Sequence, residues 1–187
     1  VRINEFLSSN LSGLRDEDGE YSDWIELYNN STSSITLNGY HITDDLSLLK
    51  KWTLPDISLG PSSYVLIFAS GKNRSGISGT QLHTNFKIDD NGETLVLTRP
   101  DSSIIETIPA VRLQADMSYG RKPDGNNALF YFSVPTPATA NIFDGFNSYI
   151  GDTVIFSQKG GYFPGGLELR FSSIYNSDSI FYTLDGS

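Results

Sequence analysis

Residues 16–29 of the chain are Asp16-Glu17-Asp18-Gly19-Glu20-Tyr21-Ser22-Asp23-Trp24-Ile25-Glu26-Leu27-Tyr28-Asn29. Asp18-Gly19 is a turn signal, because Gly adopts the positive φ that a tight reversal needs and Asp tolerates it. The residues after the turn alternate with the period of a β-strand, so Ile25 and Leu27 fall on one face. The opposite face is mixed and carries Trp24, Glu26 and Tyr28. This pattern predicts a strand in a half-solvated antiparallel sheet.

Short strand patterns continue along the chain, separated by turn residues at intervals of about 8 to 12 residues. The apolar run at residues 64–69 predicts a central, fully buried strand. Residues 89–92 form the strongest hairpin signal, which predicts that the segments 82–88 and 93–98 pair with each other. No helical stripe of useful length is present. The pattern predicts an all-β sandwich or barrel.

A proline-containing connector divides the chain. Residues 135–141 read Pro135-Thr136-Pro137-Ala138-Thr139-Ala140-Asn141, and two prolines among small residues form a stiff, extended linker. We therefore predict one domain over residues 1–141 and a second β module over residues 142–187. Strand patterns at 153–156, 167–171 and 179–184 are too few to close a sandwich, so the expectation is a partial second β-sandwich cut short at Ser187.

The composition excludes several classes of function. The 187 residues carry a formal net charge of -9, and their 13 Lys and Arg are scattered, which argues against nucleic acid and anionic lipid as partners. No apolar run approaches the roughly 20 residues that a membrane-spanning helix needs. The absence of Cys excludes disulfides, thiolate metal sites and a Cys nucleophile. An acidic, Cys-free β protein is compatible with bacterial export.

Motifs that match one family are spread over residues 1–141. They are Ile3-Asn4-Glu5-Phe6, the run 18–29, Leu37-Asn38-Gly39-Tyr40, Trp52, Phe68-Ala69-Ser70-Gly71, Leu82-His83-Thr84-Asn85-Phe86, Gly92-Glu93-Thr94-Leu95, Ser118-Tyr119-Gly120-Arg121, and Pro135-Thr136-Pro137-Ala138 with Asn141. Together they resemble the bacterial lamin tail domain family. The resemblance implies an immunoglobulin-like antiparallel β-sandwich, which agrees with the strand pattern.

A second resemblance concerns the end of the chain. Residues 179–187, Ser179-Ile180-Phe181-Tyr182-Thr183-Leu184-Asp185-Gly186-Ser187, are similar to the middle of a chitobiase C-terminal-like β-sandwich. In bacteria these two modules often precede a spore-coat-protein-H-like kinase domain or another exported enzyme, which implies an extracellular or cell-surface location. Animal members are tails of nuclear filament proteins. The chain is acidic and has no coiled-coil heptads, so the sequence does not support that role.

The acidic turn is the strongest candidate for a metal site. Its carboxylates at nearly alternate positions beside a Gly turn could converge on one Ca²⁺, which takes about six to eight oxygen ligands. The candidate ligands are Asp16, Asp18, Glu20 and Asp23. The spacing differs from that of an EF-hand loop, and the alternative is a solvated acidic turn with no metal. Calcium is thus the one candidate cofactor, and none is required by the pattern.

No residue pattern predicts catalysis. The two histidines are His41 and His83, and no Gly-x-Ser-x-Gly elbow accompanies them. We expect His83 to pack in a loop or strand with a structural hydrogen bond. Residues 71–76 have the composition of a phosphate loop but lack its Gly-Lys-Ser/Thr ending. The sequence therefore predicts that the chain is not an enzyme.

Two functions remain open. The first is a non-catalytic module that binds or spaces, with a protein domain or a surface polysaccharide as partner. The alternative is an accessory module that presents carbohydrate to a catalytic domain. Four aromatic residues could form a platform for sugar rings or pack in the core: Trp24, Tyr40, Trp52 and Tyr64. Buried tryptophans would favour the first function, and a side-by-side exposed row would favour the second.

Overall fold

The computed structural model describes residues 1–76, 80–148, 154–173 and 180–183. These residues contain β-strands, turns and loops, and no helix. Within the same ranges, nothing has the helical length and apolar character that crossing a membrane requires. The strands are β1 (Arg2–Leu7), β2 (Asp23–Tyr28), β3 (Ile35–Thr36), β4 (His41–Thr43), β5 (Trp52–Thr53), β6 (Ser58–Leu59), β7 (Tyr64–Ala69), β8 (Arg74–Ser75), β9 (Leu82–His83), β10 (Leu95–Thr98), β11 (Ile104–Ile108), β12 (Ser118–Arg121), β13 (Leu129–Phe132), β14 (Ile155–Phe156) and β15 (Phe171–Ser172).

The chain divides into two compact units, Val1–Tyr149 and Ile150–Ser187. In the first unit, a seven-stranded sheet has the order β13-β12-β1-β2-β7-β9-β8, and a four-stranded sheet has the order β11-β10-β4-β5. A short pair, β3 and β6, stands beside them. All pairings in the two sheets are antiparallel except that of β7 with β9, which is parallel.

The core lies between the two sheets. Ile25 and Leu27 of β2 and Leu95 and Leu97 of β10 are fully buried in one apolar cluster. Removing each such side chain from water stabilises the fold by about 1.5–3 kcal/mol. Two sheets that close over a shared apolar layer form an immunoglobulin-like β-sandwich, and the predicted all-β fold is confirmed.

The outer face of β2 differs from the prediction. Trp24 is 1% exposed and packs with Leu7 and Phe68 in a second, smaller apolar cluster. Glu26, on the same face, is 0% exposed. The predicted half-solvated sheet is therefore wrong at this strand. The alternation placed the residues on the correct faces, but neighbouring strands and a later segment of the chain cover the second face.

The strand β7 is central, as predicted, because it lies between β2 and β9. It pairs with β2 along its whole length, from Asp23 opposite Ala69 to Tyr28 opposite Tyr64. Its last three residues are buried and its first three are half-buried, so the prediction of full burial is wrong for the first half. The partner β9 is only two residues long, so it covers little of the strand's free edge.

The predicted hairpin between 82–88 and 93–98 is wrong. The strand β9 pairs with β7 and β8 in the seven-stranded sheet, whereas β10 pairs with β4 and β11 in the other sheet. Residues 89–92 do make a turn, with Gly92 at a φ of 103°. Turn chemistry fixes a reversal of the chain, but the burial pattern of the following residues decides which sheet they join.

The connector 135–141 contains no strand and lies on the first unit. The chain then returns to the sheet edge, where Tyr131 N donates to Phe146 O at 2.9 Å and Phe146 N donates to Tyr131 O at 2.8 Å. The predicted division into domains 1–141 and 142–187 stays a prediction.

The described residues of the second unit include one antiparallel pair, β14 with β15, in which Phe156 lies opposite Phe171. The predicted strand 153–156 corresponds to β14, and the predicted strand 167–171 corresponds to β15 only at Phe171. Residues 180–183 of the third predicted strand are not in a sheet. Positions 153, 179 and 184 of these predicted strands lie outside the described residues, as do 185–187. The partial second β-sandwich stays a prediction.

Candidate functional site

The acidic turn before β2 is organised around the carboxylate of Asp16. Its Oδ1 accepts hydrogen bonds from the main-chain N of Asp18 at 3.0 Å and of Glu20 at 3.1 Å. The Oγ of Ser22 donates to its Oδ2 at 2.7 Å. Gly19 has a φ of 79°, the left-handed conformation that the sequence predicted for this position. The Asp16 side chain is thus buried at the centre of the turn that it holds together.

The ammonium group of Lys72 lies among three of the predicted metal ligands. Its Nζ is 2.6 Å from Asp16 Oδ2, 2.7 Å from Asp18 Oδ2 and 2.9 Å from Glu20 Oε2. Arg74, two residues further along the chain, places Nη1 2.8 Å from Glu17 Oε1 and 2.8 Å from Asp18 Oδ2. The structure therefore brings these acids together, as predicted, but around a protein cation.

The contact between Lys72 and the three carboxylates shifts the pKa of Asp16 and of Lys72. Burial tends to raise the pKa of Asp16, but hydrogen bonds from Lys72 and Ser22 outweigh it and lower the pKa to about 2. The same three carboxylates raise the pKa of Lys72 against its own desolvation. Asp16 and Lys72 are therefore both ionised at neutral pH, and the carboxylates of Asp18 and Glu20 also contact the ammonium group. A Ca²⁺ ion at this point would have to displace Lys72.

Asp23, the fourth predicted ligand, has different partners. Its Oδ1 accepts a hydrogen bond from the main-chain N of Asn10 at 3.1 Å, and burial raises its pKa to about 6. In the described ranges, no group of three His, Cys, Asp or Glu side chains has an arrangement that could hold a metal ion. The calcium site at Asp16, Asp18, Glu20 and Asp23 stays a prediction.

His83 lies beneath the charged turn and is fully buried. Its Nδ1 is 2.8 Å from Ser70 Oγ, and its ring stacks on Phe68 with the centroids 5.3 Å apart. Its Nε2 has no hydrogen-bond partner among the described residues and is 3.7 Å from Glu17 Oε1. Burial lowers the pKa of His83, so the ring is neutral at pH 7. These contacts agree with the packing and structural hydrogen bond expected for this residue.

The order Ser70, His83, Glu17 has the residue types of a hydrolytic triad, but its geometry does not suit catalysis. A catalytic His must exchange a proton with substrate as well as with the nucleophile. His83 is 0% exposed and so cannot reach a substrate. The other histidine, His41, is buried with its Nδ1 2.9 Å from Thr53 Oγ1.

A second polar cluster, on the outer face of the seven-stranded sheet, was not predicted. Glu5 of β1 and Glu26 of β2 are directly opposite each other, and both are 0% exposed. Asp124 is near enough to raise the pKa of both, and Tyr64 donates its hydroxyl to Asp124 Oδ2 at 2.6 Å. Desolvation raises the pKa of Glu5 and raises that of Glu26 to about 8.

These carboxylates hold the connector on the sheet. The main-chain N of Ala138 donates to Glu26 Oε2 at 2.6 Å, and that of Thr136 donates to Glu5 Oε1 at 3.2 Å. The main-chain N of Asn141 donates to Asp124 Oδ1 at 3.2 Å. The one sign of this cluster in the sequence is a Glu inside each of two predicted strands, Glu5 and Glu26. The sequence does not show that these two residues face each other.

Of the two roles left open for the four aromatic residues, the structure supports packing rather than a platform for sugar rings. Trp24 is 1% exposed and Trp52 is 4% exposed, so neither indole can stack on a sugar ring from solvent. Tyr40 packs half-buried against the core, and Tyr64 contacts Tyr28 with the ring centroids 4.8 Å apart. By the criterion set from the sequence, buried tryptophans favour the binding or spacing module.

The fold defines the class of protein as an immunoglobulin-like β-sandwich module. The family model described as Lamin Tail Domain matches residues 1–112. The chain therefore belongs to the lamin tail domain family, a family of non-catalytic immunoglobulin-like modules. No curated protein and no solved structure matched the chain.

Proposed function

We propose that the chain is a non-catalytic binding and spacing module of a larger exported bacterial protein, located outside the cell or on its surface. Its partner is a protein domain or an envelope polysaccharide. The second unit is the chitobiase C-terminal-like β module that its last residues resemble. The acidic, Cys-free composition supports the location, and membership of a non-catalytic family supports the absence of a reaction.

The spacing role is supported by the hydrogen bonds that hold the connector 135–141 on the sheet, which we call the clamp on the connector. Glu5, Glu26 and Asp124 accept hydrogen bonds from three main-chain N–H groups within six residues, 136–141. Each such bond stabilises the contact by about 1 kcal/mol, and more when the acceptor is charged. The connector is thereby fixed on the first unit, whereas a flexible linker would not keep one position against the sandwich.

The attachment role is tested by co-sedimentation of the purified chain with bacterial envelope preparations. We expect the chain to sediment with the envelope. Protease treatment of the envelope should abolish this if the partner is a protein, and muramidase treatment should abolish it if the partner is peptidoglycan. A chain that stays in the supernatant with every preparation would contradict attachment.

The alternative, an accessory module that presents carbohydrate, is favoured by one observation in the second unit. Phe156 and Phe171 have ring centroids 5.4 Å apart, and Phe171 and Tyr182 have centroids 5.7 Å apart. Phe156 and Tyr182 are 57% and 68% exposed. Exposed aromatic rings in contact can stack on sugars, but they are also typical of a sheet face that packs on another part of a protein.

Titration with chitin oligosaccharides separates the two functions, because chitin is not a polymer of the bacterial envelope. Under the main proposal, calorimetry detects no binding of free oligosaccharides and the fluorescence of Trp24 and Trp52 does not change. Under the alternative, binding is detected and is lost in Tyr182→Ala. The matched control is Tyr64→Phe, which changes an aromatic residue of the first unit only.

A further inference from the structure

The clamp on the connector buries two carboxylates side by side. Glu5 and Glu26 occupy facing positions on β1 and β2, and both are 0% exposed. A third carboxylate, that of Asp124, shares a hydrogen-bond donor with Glu26, because Asn4 Nδ2 donates to Asp124 Oδ1 at 3.1 Å and to Glu26 Oε1 at 2.9 Å. Three acidic side chains therefore meet beneath residues 136–141.

No cation neutralises this cluster. Its three carboxylates form no ion pair in the described part of the chain. On β12, the guanidinium of Arg121 is paired with Glu106 instead. On β7, the nearby titratable group is the hydroxyl of Tyr64, which donates to Asp124. Lys122 bonds to the segment that follows the connector, and the connector itself has no titratable side chain.

The missing cation makes a bound proton favourable. A carboxylate buried beside a second one ionises only above its ordinary pKa, because neither water nor a cation offsets the charge. Desolvation raises the pKa of Glu5 and raises that of Glu26 to about 8, and the charges of Glu5 and Asp124 add to the shift of Glu26. The pair is therefore expected to hold a proton at neutral pH, and the loss of that proton belongs to the pair as a whole.

The connector separates these carboxylates from water. Thr136 donates to Glu5 from its main-chain N at 3.2 Å and from Oγ1 at 3.1 Å. Ala138 donates to Glu26 from its main-chain N at 2.6 Å. On the neighbouring strand, a Cβ atom added at Gly120 would lie 3.0 Å from a side chain of the connector, so the missing side chain leaves room for this contact. Release of the connector would return water to both carboxylates, so ionisation and release favour each other.

We propose that the connector is a pH-sensitive strap, docked on β1 and β2 while the pair Glu5 and Glu26 holds a proton and released when the pair loses it. This inference rests on the spacing role proposed above and adds its regulation: the connector is fixed in acidic surroundings and loosens in alkaline ones. In the released state Glu26 has its ordinary pKa of 4.5, so docking is strongest below that value and weakens as the pH rises towards 8. The loss of one proton changes the ratio of docked to released connector by up to about tenfold per pH unit.

The test is hydrogen exchange of the 187-residue chain at pH 6 and pH 9, corrected for the intrinsic exchange rate and read by mass spectrometry. We expect the protection of the peptide that spans residues 136–146 to fall by about tenfold or more at pH 9, while peptides from β2 stay protected. Glu26→Gln cannot ionise, so the protection of its connector should depend less on pH. The matched control is Glu168→Gln, an exposed glutamate of the second unit, which should behave as the unaltered chain.

A measurement without any variant guards against misfolding of Glu26→Gln. The 13C resonances of the glutamate carboxyl groups, followed from pH 4 to pH 10, should show one member of the pair titrating close to the pH at which the connector loses protection. Titration of both Glu5 and Glu26 below pH 5 overturns the proposal. So does a connector that is equally protected at pH 6 and pH 9, although the spacing role then stands. A connector that is unprotected at both pH values contradicts the spacing role as well.

Discussion

The guanidinium of Arg121 and the carboxylate of Glu106 join the two sheets of the sandwich, with Nη2 2.5 Å from Oε2. Arg121 is on β12 of the seven-stranded sheet, and Glu106 is on β11 of the four-stranded sheet. Their side chains are 3% and 7% exposed. Glu106 also accepts hydrogen bonds from the main-chain N of Ile3 and from Arg2 Nε, the latter at 3.0 Å. The open edge of the sandwich is therefore closed by a buried charge network.

We expect Glu106→Ala to destabilise the chain by about 3–5 kcal/mol, because it leaves the Arg121 charge buried without a partner. Urea unfolding at pH 7 measures the change. The control is Asp144→Ala, which removes a carboxylate that contacts Lys122 in full exposure to solvent and should have no measurable effect. Equal effects of the two substitutions would show that the buried pair does not hold the sheets together.

The charged turn should make the chain sensitive to acid. The pKa of Asp16 is lowered to about 2, so its contribution to stability is complete above the unfolded value of 3.8 and is lost as the pH falls towards 2. We expect Lys72→Met to reduce this acid dependence, because the pKa of Asp16 then rises towards its ordinary value. The free energy of unfolding between pH 5 and 2 is the quantity to measure. An unchanged pH profile in Lys72→Met would contradict the role of this contact.

The clamp on the connector should give a pH dependence of stability opposite in sign to that of Asp16. Desolvation raises the pKa of Glu26 to about 8, so the stability that it contributes is complete below its unfolded value of 4.5 and is lost as the pH rises through 8. One pKa unit corresponds to about 1.4 kcal/mol. The free energy of unfolding should therefore fall by on the order of 1 kcal/mol per pH unit between the unfolded value of 4.5 and the folded value of about 8. Glu26→Gln cannot ionise, and we expect its stability to depend less on pH over this interval.

The matched control for Glu26→Gln is Glu168→Gln, which changes an exposed glutamate of the second unit. Urea unfolding from pH 5 to pH 9 should give this variant the same slope as the unaltered chain. The clamp hypothesis fails if the slope of Glu26→Gln is also unchanged, whatever the absolute stability of the variant.

Two glycines in turns should differ in how well they accept a side chain. If a Cβ atom is added at Gly19, which has a φ of 79°, no heavy atom lies within 4 Å of it. At Gly92, with a φ of 103°, it comes within 2.8 Å of the main chain of Val111. We expect Gly19→Ala to cost about 1–2 kcal/mol for the left-handed backbone alone, and Gly92→Ala to cost more. Thermal unfolding of the pair measures the difference, and equal costs would contradict the close approach.

Part of the candidate site was predictable because it is local. Asp16, Asp18 and Glu20 are close in sequence around one turn, so their convergence follows from the turn itself. Lys72 is 56 positions from Asp16, and its place among the acids depends on how the segment after β7 packs. The same limit applies to Glu5 and Glu26, which are 21 positions apart by number and meet only through the register of β1 with β2.

By itself, the sequence determined that the chain forms strands, which face of β2 enters the core, and that the first domain belongs with lamin tail modules. These properties depend on the alternation of neighbouring residues and on short motifs. Only the tertiary structure decided that β9 and β10 join different sheets, that the second face of β2 is buried, and that Lys72 lies among the predicted metal ligands. The physical reason is that alternation fixes which way a side chain points, whereas its partner depends on contacts between segments far apart in the chain.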